Sequence, residues 1–487
     1  RGGTYFSFRK YSDLMKIQKE VIIVGAGLTG AITASYIKAR FPQYRIKMIH
    51  TSTLPPYQGA QGVSSELYDY FYNLYRTHVG RGVRIENLLN RSQGTYRVGT
   101  MYQEWTKAPY LHTVLAPYKH CYDELISKRH YPQDFTPSVL WQNKIPIRWF
   151  EELGNRLWRS FHLRTSTLIE LFLSDLPFYQ IQIIDDKITD CKKNNKGEIT
   201  HLIGKDKIYH GDIFLDCSGE HRVLINQFDT SYFNSWEDQL INNQTITWTT
   251  PPTFNLWTLA ERIPEGYHST VPLRDKDEHT YVFSDKFSGE ITSKAKAQYG
   301  ISSTFKQGYM TESWNKNCIA LGEASFCIES LDSPFIGTLL KQLDLMSKFL
   351  PSEDRSTYAQ HYECLMQNIF TFTTASYQTQ KNDSAYWKHV ENIKPNYTLQ
   401  SLLDKAQLRL LTSLDFPSPC RVFGHEDFII KFYALHLFNQ ESIKKEYAGV
   451  VPWKQWDNTA LLTRHYRNQK SLPSVSHEEI LKGIKDK

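Results

Sequence analysis

A short stretch near the N-terminus, Val21-Ile22-Ile23-Val24-Gly25-Ala26-Gly27-Leu28-Thr29-Gly30, leaves few folds open. Four consecutive β-branched apolar residues read as a strand buried on both faces. Gly25, Gly27 and Gly30 then form GxGxxG, and Ala31 to Arg40 continue as a helix. Gly25 makes the tight turn, Gly27 lets a pyrophosphate approach the backbone, and Gly30 lets helix and strand pack closely. The N–H groups from Leu28 and Thr29 onward are free at the helix start and would hold the diphosphate. A GxGxxG that follows a strand and opens a helix predicts dinucleotide binding in a doubly wound α/β domain; without a ligand it is simply a tight turn.

The rest of the composition removes competing classes. The chain has 487 residues and a net charge of +6 spread along its length, which reads as solvated surface and predicts no nucleic-acid partner. Seven cysteines without CxxC or a Cys/His ligand spacing point to reduced thiols, a cytoplasmic setting and no metal site. No apolar run is long enough to span a membrane, and no secretory signal is visible. The 30 Tyr and 26 Phe suit either an aromatic substrate cavity or a well-filled core.

Ile46 to His50 reads as the second strand. An acid usually ends that strand and bonds a ribose; here His50, Thr51 or Ser52 takes the place. Pro55 to Gly62 reads as a loop, Ser64 to Gly80 and Val83 to Leu89 as helices, and Gly94 to Tyr102 as a strand. Pro109 to Pro117 reads as loop, and Trp149 to Leu176 as a long helix stopped by Pro177. Strands surround the polar turn at Asn194 to Gly197, and 245–285 reads as a second sheet. Two more strand-to-turn stretches follow, Ile213-Phe214-Leu215-Asp216-Cys217-Ser218-Gly219 and Asn317-Cys318-Ile319-Ala320-Leu321-Gly322-Glu323-Ala324-Ser325. A helix is expected from about Ile336 to Leu350, with mostly helical chain beyond it.

These three turns in this order resemble the FAD domain of flavoprotein monooxygenases. Within that superfamily the chain resembles the flavin-dependent tryptophan halogenases, from Val21 to about Leu350. The carriers are Asp216-Cys217-Ser218-Gly219 with His221-Arg222-Val223-Leu224-Ile225, and the Asn317–Ser325 run. The resemblance implies FAD, reduced by a separate flavin reductase, which with oxygen turns a halide into hypohalous acid. A lysine and a glutamate beside a small aromatic or indole-like substrate then direct the halogen to the ring. FAD contacts are implied for Gly25, Gly27, Leu28, Thr29, Gly30, His50, Asp216, Gly322 and Glu323.

The catalytic positions depart from the family pattern. In Thr95-Tyr96-Arg97-Val98-Gly99-Thr100-Met101-Tyr102-Gln103-Glu104-Trp105, Arg97 holds the lysine place; it stays charged and is a poor nucleophile, and its bland reading is a buried ion-pair residue. In Cys327-Ile328-Glu329-Ser330-Leu331-Asp332-Ser333-Pro334-Phe335, Asp332 replaces the glutamate and Ser333 is retained. Pro334 and Phe335 replace a Thr-Gly whose N–H groups hold the halide, and proline has no N–H. In Tyr267-His268-Ser269-Thr270-Val271-Pro272 only Pro272 matches a Trp-x-Trp-x-Ile-Pro motif that screens the flavin, and Ser269 opens space where an indole would stand. Tyr110 and His112 fall where the family stacks substrate. Glu323 restores an acid typical of the hydroxylase branch; a helix dipole also favours an acid there.

The expected architecture is an α/β FAD-binding Rossmann-like domain with an inserted β-rich substrate domain and a helical C-terminal region. Residues 1–19 form an arm or tag, 20–350 the FAD domain with substrate segments at about 60–180 and 225–310, and 351–487 the helical region. The leading functional reading is halogenation of an electron-rich aromatic, free or bound to a carrier or peptide, by a monomer or homodimer. A monooxygenase or oxidase on the same scaffold, and a non-catalytic flavin-binding protein, stand as alternatives.

Overall fold

The computed structural model describes residues 18–53, 59–63, 65–71, 85–113, 144–146, 160–379, 381–416, 418–448 and 474–483. The strand Glu20–Val24 lies inside a six-stranded sheet. Its apolar run is buried, with Ile22 and Ile23 at 0% exposure, as a central parallel strand requires. Arg45–His50 pairs on one side and Ile213–Asp216 on the other, both parallel; Cys318–Ala320 and Gln182–Asp185 extend the sheet outward, also parallel. The antiparallel pair Trp314–Asn315 closes one edge.

The register matters more than the strand count. Val24 stands opposite Asp216 and Ile49, and Asp216 opposite Ala320. All three glycine turns therefore leave the sheet at one carboxyl edge, where ligands of such folds bind. The three turns also touch. A Cβ on Gly25 would overlap the Cys217 carbonyl, and one on Gly322 would overlap the Thr29 side chain.

A second, seven-stranded sheet runs in the order Ser303–Thr304, Gln244–Thr250, Asp277–Phe283, Gly266–Pro272, Trp257–Ile263, Gly99–Gln103, Tyr110–Thr113. It joins the segment around residue 100 to the segment 244–304. A three-stranded sheet of Ala60–Val63, Phe161–Arg164 and Thr95–Tyr96 lies alongside.

Several local expectations change. Tyr110–Thr113 is a strand and not a loop, because it finds a partner in Gly99–Gln103. Ala60–Val63 is likewise a strand, paired with Phe161–Arg164. The helical pattern expected from Trp149 begins only at Thr165 among the described residues, after the strand Phe161–Arg164, and runs to Asp175. In each case a long-range strand pairing, invisible to local pattern, decided the outcome.

The helix Pro334–Phe349 has proline at its first turn, where no N–H is missed, and buries Ile336, Leu339, Leu340, Leu343 and Met346 on one side. The helix Arg355–Ser376 packs on it. The helix His425–Ala434 packs on Arg355–Ser376 and on the Tyr110–Thr113 strand. The main apolar core runs continuously from the nucleotide sheet through these helices. Among the described residues no helix is long and apolar enough to cross a membrane.

Candidate active site

The first part of the site is the cradle at the sheet edge. The helix Leu28–Arg40 starts at Gly27 without a side-chain cap and without an acid in its first turn. Its positive end is thus left for an external anion. A Cβ built on Gly27 meets no atom within 4 Å, so the space in front of that helix start is open. Gly30 is different: a Cβ there would overlap the Gly25 carbonyl, so that glycine serves packing. The carboxylate of Asp216 is taken up by its own turn. It accepts from the Ser218 N–H and hydroxyl, at 3.1 and 2.6 Å, and from the N–H groups of Leu224 and Ile225, at 2.8 and 2.9 Å. Its role in the structure is to hold the turn. Glu323 is exposed beside Gly219. His50 is half-buried at its strand end, and the acid nearby comes from the neighbouring strand: Asp185 accepts from the Ser52 N–H at 2.9 Å. These features fit a dinucleotide diphosphate on Gly27, Leu28 and Thr29.

The second part is a buried charge cluster. Strand alternation places Thr100 and Tyr102 on one face, and the register sets His112 opposite Thr100 and Tyr110 opposite Tyr102. The rings of Tyr102 and Tyr110 stack at 4.7 Å. Over this face sits Asp332. Its Oδ2 accepts from the Tyr102 hydroxyl at 2.5 Å and from the Lys431 ammonium at 2.9 Å. Its Oδ1 lies 2.8 Å from His112 Nδ1, and His112 Nε2 lies 3.1 Å from Asp427 Oδ1. Burial alone would raise the Asp332 pKa, but Lys431 and His112 overcome it and hold the carboxyl well below its usual range. Burial opposes charge on His112, yet the carboxylates of Asp332 and Asp427 outweigh it and raise its pKa. An imidazolium between two carboxylates donates through both nitrogens. Burial lowers the Lys431 pKa, and the Asp332 charge partly restores it.

Asp332 and Ser333 both adopt left-handed backbone, with φ of 59° and 55°. For two non-glycine residues in succession this conformation costs of the order of 1–2 kcal/mol each. The turn is closed by the Ser333 N–H donating to the Ser330 carbonyl at 2.8 Å. It faces Asp332 toward the Tyr102 strand and starts the Pro334–Phe349 helix at Ser333.

Arg97 lies beside this turn and not in it. It is 1% exposed. Its Nε donates to Thr258 at 3.1 Å, one terminal nitrogen to Ser160 at 3.3 Å and the other to Thr100 at 2.9 Å. A methyl group on Gly62 would lie 2.7 Å from both Arg97 Nε and Ser333 Oγ, so Gly62, Arg97 and Ser333 converge. Tyr267 is fully buried and its hydroxyl lies 3.5 Å from Ser330, on the same turn. The Pro272 carbonyl accepts from Thr95. Ser269 is buried in the same strand, and no hydrogen bond joins it to this cluster.

Sequence reasoning missed Lys431, Tyr102 and Asp427. Lys431 carried a signal: it interrupts the apolar run Phe428-Ile429-Ile430 and Phe432-Tyr433 within one helix. A charge at an apolar position of a helix calls for a buried partner.

A family model described as tryptophan halogenase matches residues 20–448. The chain belongs to the tryptophan halogenase family. It is similar to the tryptophan 6-halogenase SttH of Streptomyces toxytricini, 22% identical over 434 residues that cover 76% of this chain and 80% of that protein. It is similar to the tryptophan 7-halogenase RebH of Lentzea aerocolonigenes, 21% identical over 442 residues, covering 80% and 82%. Its fold matches the crystal structure of a tryptophan halogenase from Shewanella frigidimarina NCIMB 400 with a TM-score of 0.84, at 19% identity, covering 97% of this chain and 98% of that one. As a family member the chain is an FAD-dependent oxidoreductase of halogenase type, and its flavin is reduced by a separate reductase.

Proposed function

We propose that this chain halogenates an electron-rich aromatic substrate, with Asp332 as the charged group beside the reacting ring. FAD, held by Gly27, Leu28 and Thr29, supplies with oxygen the oxidation that activates a halide. The observation that supports the reading is the Asp332 cluster. A buried carboxylate is kept ionised by Lys431 and His112 and fixed in direction by Tyr102. A carboxylate with so low a pKa is a weak base. It acts by preorganised electrostatics, stabilising positive charge that develops on the ring during attack by an electrophile. Ser333 and Arg97 stand next to it on the side of Gly62. The substrate is a small indole or phenol, free or presented on a carrier or peptide, and the acting species is a monomer or a homodimer.

A second reading rests on a different observation. Pro334 occupies the first position of its helix and offers no N–H, and the neighbouring Phe335 ring packs on Phe326 at 5.7 Å. A site that has lost a halide donor there suits direct oxygenation on the same scaffold. The two readings separate in one assay. The protein is supplied with FAD, a flavin reductase, oxygen and bromide, and offered free and carrier-bound indoles and phenols. Brominated product that requires bromide supports halogenation. Oxygenated product or hydrogen peroxide alone overturns it and supports the second reading. Retention of FAD without any turnover of these substrates or of oxygen overturns both.

A further inference from the structure

A cavity of about 420 Å³ opens on the outer edge of the nucleotide sheet, between the edge pair Trp314–Asn315 and the first turns of the helix Arg355–Ser376. Cavities of about 300–1,000 Å³ take small organic ligands. This one is separate from the flavin cradle: the strands Cys318–Ala320 and Ile213–Asp216 stand between it and Glu20–Val24 in the sheet.

Three kinds of group reach the cavity. Its floor is aromatic: Trp314 meets Tyr358 edge to face at 5.2 Å, and Tyr358 stacks on Tyr362 at 5.8 Å. Lys316 and Arg355 bring two positive charges, and among the described residues neither has a carboxylate within ion-pair distance. Lys316 stands in the tight turn between Asn315 and Cys318, in left-handed backbone with φ of 52°, a conformation that costs lysine energy and glycine almost none. Glu312 brings one acceptor. Its Oε2 accepts from the Asn315 amide at 2.9 Å and the Thr230 hydroxyl at 3.0 Å, which fixes the carboxylate, while Oε1 has no partner among the described residues.

The combination is selective. Two cations match the roughly two negative charges of a phosphate monoester. An aromatic floor takes the face of a planar base. A fixed carboxylate oxygen accepts from the exocyclic amine of such a base. Inorganic phosphate would leave the aromatic floor unused and meet Glu312 as a like charge, and an apolar ligand would leave both cations unused.

We propose that this cavity is a second nucleotide site, for a mononucleotide whose base carries an amine. The phosphate pairs with Lys316 and Arg355, the amine with Glu312, and the base lies against Trp314. The floor also connects inward. The Tyr358 hydroxyl lies 3.1 Å from Ser313 Oγ and accepts from Gln342 Nε2 at 3.3 Å, and Gln342 Oε1 accepts from the Gly322 N–H at 3.3 Å. Gln342 is fully buried, and Gly322 packs so closely on Thr29 that an added Cβ would overlap its side chain. An occupant that steadies Tyr358 steadies the Gly322 turn at the flavin cradle, and so strengthens FAD retention.

The test uses the purified full chain saturated with FAD, so that the flavin cradle is filled. Adenosine monophosphate is titrated by calorimetry beside inosine monophosphate, which has a carbonyl in place of the amine, adenosine, which lacks the phosphate, and inorganic phosphate. Saturable binding of adenosine monophosphate is expected, with the other three weaker by about tenfold or more. Arg355→Met and Lys316→Asn should each weaken it about tenfold, asparagine being tolerant of the left-handed turn. Gly27→Leu, which closes the flavin cradle, should leave this binding in place. FAD retention on a desalting column should rise with adenosine monophosphate in the wild type and not in Tyr358→Phe, which keeps the ring and removes the hydroxyl. Absence of binding with FAD present, loss of binding in Gly27→Leu, or equal affinity in the wild type and both charge variants overturns the site. Binding that leaves FAD retention unchanged supports the site and overturns its coupling to Gly322. No oxygen, halide or reductase enters the experiment, so its failure is distinct from failure of the halogenation reading.

Discussion

The Lys431 ammonium donates to the Asp332 carboxylate at 2.9 Å, linking a C-terminal helix to a turn 99 residues earlier. Lys431 is fully buried and Asp332 nearly so, which makes the pair unlike the exposed ion pairs elsewhere on the chain. The same helix sends Asp427 to the far nitrogen of His112. One helical turn separates Asp427 from Lys431, so a single element clamps both ends of the cluster. The helical C-terminal region is therefore part of the candidate active site.

Lys431→Met should be strongly destabilising. Removing one partner leaves Asp332 buried with less compensation, a loss of about 3–5 kcal/mol. Thermal or urea unfolding measures it, and Lys431→Met with Asp332→Asn should recover part of the loss as a coupling energy. The pH sign follows from the depressed Asp332 pKa. The folded state binds fewer protons than the unfolded state, so the contribution is present above the ordinary carboxylate pKa of about 4 and is lost as pH falls below it.

Glu329 should give the opposite slope. It is 3% exposed, and its oxygens accept from Tyr377 at 2.6 Å and Asn242 at 2.7 Å. Burial pushes its pKa from 4.5 up to about 7. Between these values the folded state binds more protons than the unfolded state, so stability falls as pH rises through the window, by about 3 kcal/mol in all. Glu329→Gln should flatten that part of the curve and narrow the stability gap between pH 5 and 8. An unchanged slope in the variant would place the titration elsewhere.

Two glycines of the first turn should behave differently. Gly27 has φ of −72° and open space at its Cβ position, so Gly27→Leu should fold with a stability change within about 1 kcal/mol. It should nevertheless lose FAD, because the side chain would occupy the diphosphate position. Gly30→Leu would meet the Gly25 backbone and should lose stability as well as flavin. Flavin retention on a desalting column and thermal unfolding separate the two effects.

Pro334→Thr with Phe335→Gly should increase the ratio of brominated to oxygenated product at fixed bromide. The change restores an N–H at the first helix position and removes the ring that packs on Phe326. Loss of that packing should lower stability by about 3 kcal/mol. Product analysis by mass spectrometry, made below the unfolding range, checks it. An unchanged ratio would show that this turn does not limit halide use.

The α/β nucleotide domain and its three turns were legible in the chain because their signals are local. A β-branched run, a glycine turn and a helix start need only neighbours in sequence to be read, and strand register then aligned Val24, Asp216 and Ala320. Arg97, Ser333 and Asp332 were legible as positions, through flanking residues that match a family. Their partners were not. Tyr102 became a donor to Asp332 when strand alternation turned it toward His112. His112 left its expected loop when Tyr110–Thr113 paired with Gly99–Gln103. Lys431 reached Asp332 only through the packing of a distant helix, and burial and charge compensation have no period along the chain. The chain's local pattern thus defined the glycine turns at the carboxyl edge of the nucleotide sheet. Packing across hundreds of residues set the charge of Asp332, because electrostatics depends on distance in space and on solvent exclusion.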